Sequence, residues 1–194
     1  QHYSNSFLLK VNNNFQQSLD SLDSWDPLPF MLQNTFFNEV VNTYLEENTK
    51  IAVVISDAMR YEIGVELGER INREDRFSAE VEVMVSMLPS YTQLGMAALL
   101  PHQKLAITAD GSVQVDGFSV QGLDNRSKLL QKTVGKEAIA LHYVDLMNKS
   151  REDSRELVKN NRVIYIYHNL IDAVGDKSGT EQKVFAEAEN AIKE

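Results

Sequence analysis

The spacing of hydrophobic residues changes near residue 50. Before it, apolar side chains recur every three or four positions over residues 7–22 and over residues 32–45, which is the spacing of amphipathic helices. A tryptophan and two prolines at residues 25–29 separate the two runs. We therefore predict a helical segment over residues 1–49, which either ends an upstream domain or caps the core that follows.

After residue 50, short apolar runs alternate with helical patterns. The first run, Ile-Ala-Val-Val-Ile at residues 51–55, is apolar at every position, as in a strand that is buried on both faces. The predicted strands cover residues 51–56, 79–86, 138–141 and 162–167. Strands that alternate with helices are typical of a parallel sheet with helices on both faces. We predict a mostly parallel, doubly wound α/β domain over residues 50–194.

The connections between these elements carry turn signals. Residues 104–115 predict a β-hairpin that turns at Ala-Asp-Gly, residues 109–111. Residues 117–125 and 168–176 contain glycine, asparagine and aspartate and predict loops, and a last helix is predicted to begin near Thr180.

The composition excludes several classes of protein. With 194 residues, of which 43% are hydrophobic, the chain can bury one sizeable core. A net charge of -9 without a basic run argues against direct nucleic-acid binding by phosphate neutralisation. The lack of cysteine excludes disulfides, thiolate metal sites and cysteine nucleophiles, and it fits a cytoplasmic location. No apolar run is long enough to span a membrane.

The ends of the chain suggest a piece of a longer protein. The first residue is Gln1 rather than methionine, and Glu194 follows a helical pattern directly. We therefore expect further sequence on both sides.

The first chemical candidate is Asp57, where the apolar run 51–56 passes into the helical pattern of residues 61–71. Ligands of open α/β sheets bind outside the carboxyl ends of the strands, so this carboxylate lies at the mouth of any such site. The alternative is an ordinary helix N-cap, a position that aspartate favours.

The second candidate is Thr92, which follows the predicted strand 79–86 and a proline turn and precedes a helical run of small residues. The start of a helix favours phosphate or alkoxide, and a hydroxyl beside a metal ion can become a nucleophile. The alternative is a threonine N-cap.

The third candidate is the segment after the strand 162–167. Asp172 and Asp176 are four residues apart, and two close carboxylates repel each other unless a cation lies between them. The alternative is a turn with solvated aspartates. His168 is nearby, and a single histidine at a strand end is more often a hydrogen-bonded structural residue than a ligand.

Together the three segments resemble the PglZ domain. They are Ile-Ser-Asp-Ala-Met-Arg-Tyr-Glu at residues 55–62, Leu-Pro-Ser-Tyr-Thr at residues 88–92, and Tyr-Ile-Tyr-His-Asn-Leu-Ile-Asp-Ala-Val-Gly-Asp-Lys at residues 165–177. PglZ domains belong to bacterial phage-defence systems of the BREX and Pgl type and are similar to the alkaline phosphatase superfamily. The resemblance covers about residues 50–194 and implies an alkaline phosphatase-like core.

The resemblance also implies roles for these residues. Asp57 binds one divalent metal ion, and Thr92 is the nucleophile and binds the same ion, with Ser90 as the lesser candidate. Asp172 binds the second ion. Asp176 stands where the superfamily has histidine, and carboxylates favour Mg or Mn more than imidazole does, so the identity of the metal stays open. For an enzyme, Arg60, one turn past Asp57, and Asn125 are the candidate substrate-binding residues; the alternative for Arg60 is an ordinary surface arginine.

The implied function is part of a metal-dependent phosphohydrolase that acts on a phosphomonoester or phosphodiester, with other phage-defence proteins as partners. The superfamily also uses a later Asp-His pair and a further histidine, which this chain lacks. We therefore expect the isolated chain to be inactive and to bind its two ions (Zn, Mn or Mg) weakly or not at all. The alternative is a non-catalytic interaction module of the defence complex.

Overall fold

A computed structural model describes residues 2–23, 29–177 and 181–193 of the chain. The predicted break at residues 25–29 and the predicted helix start at Thr180 lie largely outside the described residues. The chain divides into two compact units, Gln1–Phe30 and Met31–Glu194. None of the described helices is long and apolar enough to cross a membrane.

The elements follow one another along the chain with short connections. The helices are α1 (Leu9–Asp20), α2 (Asn42–Glu46), α3 (Tyr61–Ile71), α4 (Thr92–Ala98), α5 (Leu123–Val134), α6 (Tyr143–Met147), α7 (Arg151–Asn160), α8 (Leu170–Lys177) and α9 (Glu181–Ala191). The strands are β1 (Met31–Leu32), β2 (Ile51–Ser56), β3 (Met84–Val85), β4 (Leu105–Ile107), β5 (Val113–Val115), β6 (Phe118–Ser119), β7 (Ala138–His142) and β8 (Val163–His168). Two π-helical segments, His2–Leu8 and Phe37–Val41, and a 3₁₀ turn, Gln33–Thr35, precede the helices α1 and α2.

The first unit is helical, as the apolar spacing of residues 7–22 predicts. Its π-helical segment runs directly into α1, and Tyr3 stacks on Phe7 at 5.7 Å between ring centres. The second helical run, residues 32–45, lies in the other unit, where Phe37 and Val41 are buried in the main core. The division into residues 1–49 and 50–194 stays a prediction.

The main sheet consists of three parallel strands in the order β2-β8-β7. Ile51 pairs with Val163 and Ser56 with His168, so β2 and β8 run side by side over their full length. All six residues of β8 are buried because it is the central strand. The prediction of a parallel sheet that contains both the run near residue 51 and the run near residue 163 is confirmed, and the two strands are direct neighbours.

Helices cover the main sheet on both faces, as predicted. On one face, Val53, Tyr165 and Tyr167 pack in a core with residues of α4 and α5. On the other face, Ile164 and Ile166 pack with residues of α6 and α7. A third cluster joins α3, α8 and α9 through residues such as Ile63 and Ile171. The α/β fold class is confirmed.

The predicted hairpin is also confirmed. Strands β4 and β5 are antiparallel, and Gly111 at the turn has a φ of 82°, which suits glycine. The predicted loop 117–125 is partly wrong, because β6 adds a third antiparallel strand and α5 begins at Leu123.

Two other expectations are wrong. The predicted strand 79–86 forms a ladder only at Met84–Val85, with β1, because alternation alone does not supply a partner, and none of the described strands pairs with the residues before Met84. The predicted loop 168–176 is mostly helix α8. Its Asp and Gly residues suggest a turn, but Ile171 is buried against α9 and Ala173 N–H donates to Asn169 O at 2.9 Å, which stabilises the helix.

The hydroxyl of buried Tyr165 donates to Leu99 O at 2.7 Å and so ties the end of α4 to the central strand. Tyr165→Phe leaves that carbonyl without its donor, so we expect it to lower the free energy of unfolding by about 1–3 kcal/mol. Urea denaturation of the chain measures the loss. Tyr61→Phe is the control, because Tyr61 is 68% exposed, and a loss there as large as that at Tyr165 would contradict the account.

Candidate functional site

Asp57 extends the ladder of the main sheet by one residue. Its N–H donates to His168 O at 2.8 Å, and the next residue, Ala58, has a φ of 61°, so the chain turns sharply away from β2. Helix α3 starts only at Tyr61, and the residue that precedes it is Arg60, which makes no side-chain cap. Asp57 is therefore not the N-cap of α3, and its carboxylate is available at the carboxyl end of the strand.

Thr92 is the first residue of α4. Tyr91 occupies the cap position with extended backbone, and no side chain caps this helix. The capping alternative for Thr92 therefore does not hold either, and its hydroxyl lies on an exposed part of the chain. Thr92 and Asp57 line the same cleft of about 500 Å³, together with Gly95 and Met96 of α4.

Asp172 and Asp176 lie four residues apart on α8, so they share one side of that helix. Burial raises the pKa of the Asp57 carboxyl, and the negative charge of Asp172, with a smaller contribution from Asp176, raises it further. An N–H bond from Ala58 and the charge of Arg126 act in the opposite direction. Three carboxylates thus interact electrostatically at the carboxyl end of β2 and β8.

These carboxylates, with the Thr92 hydroxyl, offer only oxygen donors, which suit hard divalent cations. A cation would relieve the repulsion that raises the pKa of Asp57. Among the described residues, however, no three His, Cys, Asp or Glu side chains are grouped closely enough to hold a metal ion. The described residues therefore supply only some of the ligands that a divalent metal ion needs.

Arg126, on α5, was not among the residues singled out from the sequence. Its Nε donates to Val120 O at 3.0 Å, its guanidinium lies 4.3 Å from the centre of the Tyr167 ring, and its charge lowers the pKa of Asp57. It also borders a small pocket with Gln93, the residue after Thr92. A guanidinium so placed can pair with an anion between α4 and α5.

The two substrate-binding residues expected from the sequence lie elsewhere. The Arg60 guanidinium is 4.9 Å from the centre of the Phe185 ring. Asn125 donates to Gln121 O at 2.9 Å and lines a separate pocket with Phe118 and Lys132. Neither residue lines the cleft of Asp57 and Thr92.

His168 ends the central strand and is only 5% exposed. Its Nδ1 forms a 2.9 Å hydrogen bond with Ser56 Oγ, and its ring meets the Tyr143 ring edge-on at 5.0 Å. Because Ser56 precedes Asp57, the hydrogen bond between Ser56 and His168 holds the end of β2 against β8. The arrangement supports a structural, positioning role for His168.

The raised pKa of Asp57 predicts a pH-dependent stability. Ionised Asp57 is less favourable in the folded chain than in the unfolded chain, so stability is full below the ordinary carboxyl pKa and falls as pH rises through the raised one. Without metal, Asp57→Asn is expected to raise Tm by a few degrees at pH 7, and the gain should vanish below about pH 4.

Thermal melts in chelator across pH 3–8 test this expectation. The control is Asp110→Asn, because hydrogen bonds from Thr108 and Ser112 lower the pKa of Asp110 and its loss should destabilise the chain at neutral pH. A lower Tm for Asp57→Asn at pH 7 would contradict the assignment.

The chain is similar in sequence to known alkaline phosphatase-like proteins. Residues 36–194 match the family described as the BREX system PglZ alkaline phosphatase-like domain. The chain is 39% identical to the alkaline phosphatase-like protein BrxZ of Escherichia coli O9:H4 (strain HS), over 99% of this chain and 23% of that protein. It is 37% identical to the alkaline phosphatase-like protein PglZ of Bacillus cereus (strain H3081.97), over 84% of this chain and 19% of that protein. The chain thus spans about a fifth of the length of these relatives, and no solved structure matches it significantly.

Proposed function

Since the chain belongs to the PglZ family of alkaline phosphatase-like domains from BREX systems, we propose that it forms part of a metal-dependent phosphohydrolase. The observation that supports this most is the common cleft of Asp57 and Thr92, beside the carboxylates of α8. A hydroxyl and a group of carboxylates at the carboxyl ends of parallel strands suit the transfer of a phosphoryl group.

In this proposal Thr92 is the nucleophile. Its Oγ gives up its proton to solvent and attacks phosphorus, and the ester oxygen leaves with the bonding electron pair and takes up a proton from solvent. Water then attacks the phosphothreonine, which releases phosphate and restores the hydroxyl. Asp57 and Thr92 would hold one divalent ion, and Asp172 and Asp176 would hold the other. The ions, when bound, neutralise charge on the reacting oxygens. Arg126 pairs with the phosphoryl oxygens.

The parent protein provides the test. We expect it to hydrolyse an aryl phosphate monoester or diester, such as p-nitrophenyl phosphate or its bis ester, with Zn, Mn or Mg present. Chelation should abolish the activity, and addition of one of these ions should restore it. Hydrolysis that chelator does not change would contradict the proposal. If metal-loaded parent protein acts on no ester of a broad panel, the alternative of a non-catalytic interaction module gains support.

The isolated 194-residue chain is expected to be inactive. It supplies two oxygen donors for each ion, whereas catalytic zinc normally takes three protein ligands. The same phosphoester assay, run with equal amounts of chain and parent, tests this expectation. Turnover by the chain at the rate of the parent would mean that its own residues complete the site.

The proposed partners are other proteins of the same defence system, as the family description and the names of the relatives suggest. Co-purification of the parent with the products of its own operon tests this directly.

A further inference from the structure

The two tyrosines of the central strand β8 differ in what their hydroxyls contact. Tyr165 and Tyr167 are both buried on the face of the main sheet that α4 and α5 cover. The Tyr165 hydroxyl donates to Leu99 O, whereas the Tyr167 hydroxyl has no hydrogen-bond partner among the described residues. A buried hydroxyl without a partner is destabilising and rare in folded proteins, unless water or a ligand completes it.

The Arg126 side chain approaches this hydroxyl but does not satisfy it. Burial raises the pKa of Tyr167, and the charge of Arg126 and a contact of its side chain with the hydroxyl lower it. Because a guanidinium only donates hydrogen bonds, that contact can use only the hydroxyl oxygen, and the O–H hydrogen still lacks an acceptor. The Nε of Arg126 donates to Val120 O, a bond that does not use its two terminal NH₂ groups. Two donor groups thus lie side by side.

A small pocket of about 20 Å³ adjoins the Arg126 guanidinium. The residues that line it are Gln93, Gln121, Arg126, Val113 and Val120. A space of this size holds a single oxygen atom with its hydrogen-bond partners. Gln93 directly follows Thr92, the proposed nucleophile, so the pocket lies beside the reacting end of α4.

Tyr167 also lies close to the proposed metal ligand Asp57. It directly precedes His168, whose carbonyl oxygen accepts the N–H of Asp57 at 2.8 Å. The Arg126 guanidinium lies 4.3 Å from the centre of the Tyr167 ring and lowers the pKa of the Asp57 carboxyl. The unpaired hydroxyl, the guanidinium and the carboxylate therefore belong to the same end of the main sheet.

We propose that Tyr167 is a further catalytic residue, whose hydroxyl donates, together with the Arg126 guanidinium, to one non-bridging phosphoryl oxygen in the pocket between α4 and α5. This inference rests on the proposed function. An ionised phosphoryl oxygen accepts several hydrogen bonds, so it satisfies both donors at once. The two bonds strengthen as negative charge develops on that oxygen in the transition state. The Tyr167 proton stays on its own oxygen throughout.

The matched variants Tyr167→Phe and Tyr165→Phe of the parent protein test the inference, because each removes one buried hydroxyl of β8 and keeps the ring. Tyr167→Phe should lower kcat/KM for an aryl phosphate by about 10–100-fold, with Tm at or above that of wild type. Tyr165→Phe should lower Tm by a few degrees and leave kcat/KM close to that of wild type. An active parent whose Tyr167→Phe variant keeps full kcat/KM would overturn the inference. A fall of Tm in Tyr167→Phe as large as that in Tyr165→Phe would also overturn it, because the hydroxyl would then have a structural partner.

Binding of inorganic phosphate separates this inference from the proposed function. Calorimetric titration of the Mn-loaded parent with phosphate should give a Kd that Tyr167→Phe raises about tenfold and Tyr165→Phe leaves unchanged. If the parent binds phosphate in this way but hydrolyses no ester, the proposed hydrolase fails and the oxygen site at Tyr167 stands. If the parent hydrolyses no ester and its wild type binds phosphate no more tightly than Tyr167→Phe, the inference fails as well.

Discussion

Thr92→Ala in the parent protein is expected to lower kcat by about 10⁴–10⁶-fold, because the substitution removes the nucleophile of a covalent mechanism. The expectation rests on the position of Thr92 at the start of α4, in the cleft that Asp57 also lines. Initial rates at saturating aryl phosphate and saturating metal measure the effect. Because Thr92 is exposed and caps no helix, the variant should fold normally, which a thermal melt verifies.

Two substitutions make this result specific. Ser90→Ala should leave turnover close to that of wild type, although Ser90 lies only two residues away. Thr92→Ser should retain part of the activity, because a hydroxyl remains at the same position. If Thr92→Ala keeps full activity while Ser90→Ala loses it, Ser90 is the nucleophile and the assignment is wrong.

Arg126→Ala should lower kcat/KM by about 10²–10³-fold, the usual effect of removing one group that stabilises charge in a transition state. Arg126 interacts electrostatically with Asp57, and its guanidinium is held by Val120 O and the Tyr167 ring. Arg126→Lys should recover little of the activity, because an ammonium lacks the fork that pairs with two phosphoryl oxygens.

Arg60→Ala is the matched control. Arg60 also lies against an aromatic ring, that of Phe185, but unlike Arg126 it is not among the charges that lower the pKa of Asp57. The loss of such a contact alone costs about 0.5–1 kcal/mol of stability and should leave the kinetic constants almost unchanged. A large kinetic defect in Arg60→Ala with none in Arg126→Ala would restore the sequence-based choice of Arg60.

The sequence alone was sufficient to predict the parallel strands β2 and β8 of the main sheet. The apolar runs that became β2 and β8 predicted buried parallel strands, and both strands are parallel neighbours in the main sheet. The predicted burial on both faces holds for β8 but is wrong for β2, in which Ala52 and Val54 are exposed because none of the described strands covers that edge. Such runs are informative because continuous apolar sequence is typical of the strands of parallel sheets. Asp57 could be placed at the strand end for the same reason.

The wrong predictions concern segments whose structure depends on contacts with distant parts of the chain, which the spacing of residues along the sequence does not show. Residues 79–83 have the alternation of a strand, but a ladder also needs a partner, and none of the described strands pairs with them. The segment of α8 was predicted to be a loop because its aspartates and glycine suggest a turn. It is a helix because the helical conformation buries Ile171 in the cluster of α3, α8 and α9. Arg126 was missed because its proximity to Asp57 depends on the packing of α5 on Tyr167, not on a motif.

Calorimetric titration of the metal-free parent protein with Mn tests the central claim, that Asp57 and Asp172 belong to two neighbouring metal sites. Wild type is expected to bind two ions, Asp57→Asn to lose one of them and Asp172→Asn to lose the other. Asp110 is an exposed aspartate of the β4–β5 hairpin, so the Asp110→Asn variant should still bind both ions. Unchanged binding of two ions in both Asp57→Asn and Asp172→Asn, or no binding by the wild-type parent, would contradict the account.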